Sequence, residues 1–145
     1  MADWDRSIIG KEFARCEQHV TRAMLLEYAA MIGTVQPIYL DAVAARAHGY
    51  RDIIAMPTFV TANAARPLLP PRLGFHGMGI NAGYECVFYG VVYPGDTLTY
   101  STCIADVYEK TGRSGKMRFV VRETTVSNQH SEKIALVRNP FILDW

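Results

Sequence analysis

The sequence predicts an α+β fold in which one long antiparallel sheet curls around an apolar helix. Three observations carry that expectation. Apolar residues recur at helical spacing only in the first half of the chain, over residues 21–65. From residue 84 onward the period switches to two, in long runs. Short turns rich in Gly, Pro, Asn and Ser separate those runs, which is the pattern of a meander. The apolar face of such a sheet needs cover. Residues 57–65, PTFVTANAA, offer a helix whose small side chains let a sheet approach closely.

The elements follow in order. Residues 1–10 read as a loose lead-in, and the partial alternation of 11–20 (KEFARCEQHV) predicts a first strand. Thr21 can cap a helix by accepting a first-turn N–H. Met24, Leu25, Tyr28, Ala29 and Ile32 then form an apolar stripe, and Gly33 can take the left-handed position that ends it. Residues 34–40 form a turn stiffened by Pro37, which biases Gln36 away from helical angles. Asp41 caps a second short helix with Val43, Ala44 and Ala47 inward and Gly49 at its end. Ile53 and Ile54 make an apolar bridge to Pro57, which suits the first position of a third helix ended by Pro67. Pro67, Pro70 and Pro71 stiffen the connector that follows, and Gly74, Gly77, Gly79 and Gly83 loosen it.

Residues 84–92 predict a strand with Tyr84, Cys86 and Phe88 on one face. Pro94, Gly95 and Asp96 make a turn. Residues 97–108 place Leu98, Tyr100, Thr102 and Ile104 on one face. After a turn at 111–115, residues 116–126 set Met117, Phe119 and Val121 opposite Arg118, Val120 and Arg122. Residues 127–131 turn again. Residues 132–143 are the last strand, where Pro140 implies a bulge or an edge.

Bulk composition narrows the function. A chain of 145 residues fits one domain, 1–145, and buries roughly 68–70% of its unfolded surface. The formal net charge of +1 argues against a nucleic-acid footprint, which needs a basic face. No apolar run reaches the length of a membrane span. The start, MADWDRSIIG, lacks a basic region followed by an apolar core, so no secretory signal is expected. Cys16, Cys86 and Cys103 form no CxxC motif and read as buried thiols in a reducing compartment. The expectation is a cytoplasmic protein with no metal and no cofactor.

Residues 28–57 read YAAMIGTVQPIYLDAVAARAHGYRDIIAMP, two short helices around a Gly-x-x-x-Pro-x-Tyr turn. This stretch resembles the signature of the MaoC-like hydratases and dehydratases, hotdog-fold proteins acting on acyl thioesters. The segment VVYPGDTLTYSTCIADVYE at 91–109 and the segment GKMRFVVRETTVSNQ at 115–129 are similar to theirs too. Met56-Pro57-Thr58-Phe59 looks like the start of the central helix in the non-catalytic-type N-terminal halves of dehydratases. Such halves pair with a second hotdog that carries the catalytic residues. The resemblance therefore implies a hotdog subunit for a CoA or acyl-carrier-protein thioester, working as a homodimer or a heterodimer.

In that group the turn reads roughly Gly-Asp-x-Asn-Pro-x-His, and its Asp and His do the chemistry. Here Thr34, Gln36 and Tyr39 stand at the Asp, Asn and His positions. Hydration of a 2-enoyl thioester needs a base for water, a proton for the α-carbon and donors for the thioester oxygen. A threonine hydroxyl is no base near neutral pH, and a phenol is a poor one. The resemblance places Pro57 where a Gly N–H would meet the thioester oxygen, and proline has no N–H.

The remaining catalytic candidates are Tyr39 as donor or acid, Asp41 as a substitute base or a helix cap, and His76 in the Gly-rich connector. Thr34, Gln36, Met56, Pro57, Thr58, Phe59 and Asn63 are the expected substrate lining. His48 reads as a helix C-terminal residue and Glu85 as a solvated strand residue. Arg113, Lys116 and Arg118 form a basic turn that either contacts a phosphate or is solvated. A hotdog thioesterase using Asp41 or Glu85, and an acyl-thioester-binding protein without turnover, are the alternatives.

Overall fold

The computed structural model describes residues 6–65, 69–70, 79–113 and 115–144. The chain enters through a 3-10 turn at Arg6–Ile8 and then forms β1 (Glu12–His19), α1 (Arg22–Ile32), α2 (Ala42–Ala47) and α3 (Pro57–Ala62). Five further strands follow: β2 (Ile80–Asn81), β3 (Glu85–Phe88), β4 (Thr97–Gly112), β5 (Gly115–Ser127) and β6 (Lys133–Asp144). All six strands join one antiparallel sheet in the order β1-β4-β5-β6-β2, with β3 also pairing β6. The α+β expectation of a curled antiparallel sheet packed on a central helix therefore holds.

The inner face of the sheet is built in rungs. Tyr100, Val126 and Ala135 are opposite one another, as are Thr102, Thr124 and Val137, and Ile104, Arg122 and Asn139. All nine are buried. The first rung packs with Phe59 and Val60 of α3 in the main core cluster. Two rungs carry polar side chains, and each is internally bonded. Thr102 and Thr124 share a hydrogen bond of 2.9 Å, and Arg122 donates to Asn139 Oδ1 at 2.9 Å. The Asn139 amide in turn donates to the Gly83 carbonyl and to Asn81 Oδ1.

The helix caps are where the sequence places them. Thr21 accepts the Met24 N–H, and Gly33 sits at φ 76° and closes α1 onto Ala29 and Ala30. Pro140 pairs with Val121 and faces the break between β2 and β3, where its carbonyl accepts the Ala82 N–H. That break lets a residue without an N–H sit inside the sheet.

Several sequence expectations need correction. Ile32 is exposed, because α1 buries only Leu25 and Ala29. In α2 the inward residue is Ala45; Val43 and Ala47 face solvent. The strand expected over 84–92 is only Glu85–Phe88, and Phe88 is exposed. On β5 the buried face is Val120, Arg122, Thr124 and Val126, joined by Phe119 where the β6 register shifts. Cys16 is exposed, and Cys86 and Cys103 are only half-buried.

The 94–96 turn is held by one buried carboxylate. Asp96 accepts the Tyr93 N–H at 2.8 Å, the Gln129 amide at 3.1 Å and Arg51 at 3.2 Å. Arg51 also lies over the Tyr93 ring at 4.2 Å. Replacing Asp96→Ala leaves three donors without their acceptor. It is expected to lower the unfolding free energy by roughly 2–4 kcal/mol, measured by urea denaturation.

Candidate functional site

Backbone hydrogen bonds bring the 34–41 turn to the start of α3. Ile54 N–H donates to the Ile38 carbonyl at 3.3 Å, and Ala55 N–H donates to the Val92 carbonyl at 2.8 Å. Residues 53–55 are buried and form an extended strap between the turn and the sheet. Asp52, just before the strap, pairs with Arg22 of α1 and accepts the Ile53 N–H. The Arg22 guanidinium holds the Asp52 carboxyl below its usual value.

Each residue expected from the sequence has a definite place. Thr34 is half-buried; its N–H reaches the Ala29 carbonyl, and its hydroxyl accepts the Gln36 N–H at 3.3 Å. Gln36 is exposed and extended, as the following Pro37 demands. Tyr39 is half-buried at the end of the 3-10 turn Pro37–Tyr39. Both carboxylate oxygens of Asp41 accept N–H groups at the start of α2, from Val43 at 3.0 Å and Ala44 at 3.3 Å.

Met56 precedes α3 and packs on the core; Pro57 and Thr58 open the helix and are exposed. Phe59 is buried with its ring edge-on to Tyr28 at 5.4 Å. Asn63 lies just past α3 and donates to Gln18 of β1. Met56, Pro57 and Thr58 stand at the N-terminal end of α3, and the turn that carries Thr34, Gln36, Tyr39 and Asp41 is tied to the segment before it by the Ile54–Ile38 bond. Asn63 lies at the other end of α3. His76 lies outside the described residues. His48 caps α2, with its ring nitrogen Nδ1 2.9 Å from the Ala44 carbonyl, and Glu85 is exposed. Lys116 of the basic turn pairs with Glu109.

Further polar side chains stand beside α3 and on the inner face of the sheet. Gln18 and Tyr100 meet Asn63 beside α3. Tyr84 donates from its hydroxyl to the Thr61 carbonyl at 2.9 Å, and burial pushes its phenol pKa up. Burial lowers the pKa of Arg122, which lies over the Phe141 ring at 5.0 Å. Arg122 falls on the strand face opposite Met117, Phe119 and Val121, and its spacing from Val120 and Val126 on that face was the available signal. Gln18 gave no comparable signal, since it stands on a partly charged edge strand. Among the described residues no group of His, Cys, Asp or Glu could hold a metal ion, and no helix is long and apolar enough to cross a membrane.

A curled antiparallel sheet around a short central helix, with a Pro-containing turn docked at the helix start, defines a hotdog of the MaoC-like dehydratase kind. The chain belongs to the family described as "FAS1-like, dehydratase domain region", whose model matches residues 7–137. A UPF0336 protein of Streptomyces griseus subsp. griseus is 33% identical over 114 residues, covering 74% of this chain and 76% of the relative. The fold is shared with the HadBC (3R-hydroxyacyl-ACP dehydratase) complex of Mycobacterium tuberculosis. That match has a TM-score of 0.75 at 23% identity, over 93% of this chain and 96% of the other. A MaoC-like dehydratase from Rhodospirillum rubrum matches with a TM-score of 0.74 at 23% identity, over 93% and 91% of the two chains.

The geometry makes Asp41 a helix cap, and a cap tolerates asparagine. Asp41→Asn is expected to leave stability within about 0.5 kcal/mol, and Asp41→Ala to lower it by about 1 kcal/mol, both read by urea denaturation.

Proposed function

We propose that this chain is a non-catalytic-type subunit of an acyl-thioester hydratase/dehydratase, working with a hotdog chain that carries the acid–base pair. The joint reaction is (R)-type hydration of a 2-enoyl thioester, or dehydration of the 3-hydroxyacyl thioester, on CoA or acyl carrier protein. The observation that carries this reading is the chemistry of the turn. Thr34 bonds within its own turn and Asp41 bonds to the start of α2. Tyr39 is the only other expected catalytic group described there. Pro57 opens α3 without an N–H to offer a thioester oxygen. The chain keeps the shape of the site and contributes the wall beside α3.

The partner reading has further support at the sheet edge. β3 pairs β6 on one side only, and Tyr84, Val87, Phe88, Tyr89 and Val91 beside it are exposed. An edge so rich in apolar and aromatic side chains is a template for another strand. The related solved structure of HadBC is itself a complex.

The first test follows the enoyl absorbance of crotonyl-CoA and longer 2-enoyl-CoAs, with free CoA assayed in the same samples. The chain alone is expected to be silent. Mixed with a catalytic MaoC-like hotdog chain, it is expected to raise hydration above that of the partner by itself. Hydration by the chain alone would overturn the reading, and free CoA without hydration would point to a thioesterase. The second test is at the edge. The pair Val87→Asp and Phe88→Asp is expected to abolish association in sedimentation velocity. Because both side chains are exposed, each substitution changes stability by about 0.5 kcal/mol or less.

A further inference from the structure

We propose that the groove between α3, α1 and β1 binds an acyl chain carrying a hydroxyl near its middle, read by the side-chain amides of Gln18 and Asn63. This rests on the acyl-thioester reading above and names the class of acyl chain.

Two open cavities meet at these residues. One, of about 400 Å³, is lined by Met24, Tyr28, Met31 and Phe59 together with Gln18, Asn63 and the carboxylate of Glu27. The other, of about 370 Å³, is lined by Ala14, Cys16 and Tyr100 with the same Gln18 and Asn63, and by the charged Arg15 and Glu17. Both are apolar on most of their surface. Methionine side chains adapt to a flexible chain, and the aromatic rings give it a flat wall.

The polar pair at the junction is built and oriented. The Gln18 side-chain carbonyl accepts from the Asn63 amide and from the Tyr100 hydroxyl, the latter at 3.3 Å. That leaves the Gln18 Nε2 and the Asn63 Oδ1 with no partner among the described residues. Neither atom is sealed from the groove. Asn63 itself is only 8% exposed, so its free carbonyl opens from an otherwise buried side chain.

An unpaired amide NH2 beside an unpaired amide carbonyl can serve a hydroxyl on both sides, since a hydroxyl accepts one hydrogen bond and donates another. Walls that are apolar on most of their area on both sides suit hydrocarbon before and after it. The position follows from the helix. Asn63 is six residues beyond Pro57, and six residues of helix advance about 9 Å, roughly seven carbons of an extended chain. A thioester at the N-terminal end of α3 therefore puts the pair beside the middle of a medium-length acyl chain.

The test is isothermal titration of the purified full chain with CoA, dodecanoyl-CoA and a positional series of hydroxydodecanoyl-CoAs. The isomers hydroxylated around the seventh to ninth carbon are expected to bind about fivefold tighter than dodecanoyl-CoA, one net hydrogen bond's worth. Gln18→Leu and Asn63→Leu are expected to erase that preference while dodecanoyl-CoA still binds. Ala62→Trp, at an exposed position on the groove wall, gives an independent check and should weaken every thioester. Equal affinity for all isomers overturns this inference alone, as does a preference that survives both leucine variants. Binding of CoA as tight as any thioester, weakened by both leucine variants, would assign the pair to the pantetheine arm instead. Failure of every thioester to bind would overturn the acyl-thioester reading with it.

Discussion

The site depends on a three-residue strap. Residues 53–55 run buried between the 34–41 turn and the sheet, and buried backbone groups must be paired. All three of their N–H groups are, Ile53 to the Asp52 carboxylate, Ile54 to the turn through Ile38 and Ala55 to the sheet side through Val92. These bonds set the height of the turn against the start of α3. Isoleucine at 53 and 54 gives the strap a stiff, fully apolar body, so it has no competing polar conformation. The Arg22–Asp52 pair ties the same segment to α1. Any chemistry at the helix start inherits its geometry from this strap.

The other end of α3 poses the opposite problem. α3 runs straight into a 3-10 turn at Asn63–Ala65, and the carbonyls at this junction take side-chain donors as well as main-chain ones. Here the surroundings supply the donors. The Tyr84 hydroxyl bonds the Thr61 carbonyl, and the Thr124 hydroxyl bonds the Ala64 carbonyl at 3.5 Å. The polar rungs of the sheet thus serve the helix. A purely aliphatic inner face would lose the Thr124 donor to the Ala64 carbonyl. This is a physical reason for threonine at 102 and 124, where periodicity alone asks only for an apolar side chain.

Local chemistry was legible in the sequence, and long-range pairing was not. Thr21, Gly33, Asp41 and Pro57 announce helix ends because each acts on its own neighbours, and all four act as expected. The inward faces of short helices were harder. Over the six residues of α2, Val43, Ala44, Ala45 and Ala47 give almost no contrast in hydrophobicity, and packing selects Ala45. The face of β5 depends on register shifts on both of its sides, which no single-strand pattern records. Gln18 and Asn63 are 45 residues apart in sequence, and only the folded sheet brings them together. Asn63 was expected in the site from its place on the central helix, whereas Gln18 needed the sheet to be folded first.

The same architecture explains how the 34–41 turn keeps its shape whatever side chains stand at 34 and 39. Main-chain bonds and Pro37 hold the turn: Thr34 to Ala29, Tyr39 to Gln36, Leu40 and Asp41 to Pro37, and Ile54 to Ile38. None of these bonds uses a side chain at 34 or 39. The one side-chain bond inside the turn, Thr34 to the Gln36 N–H, needs only a short oxygen acceptor, and an aspartate would make it as well. The identities at 34 and 39 are therefore free of the folding constraint that fixes Gly33, Pro37 and Asp41. A fold whose site geometry is carried by main chain can exchange chemistry for shape with little change in stability, and its function has to be read from the side chains that remain.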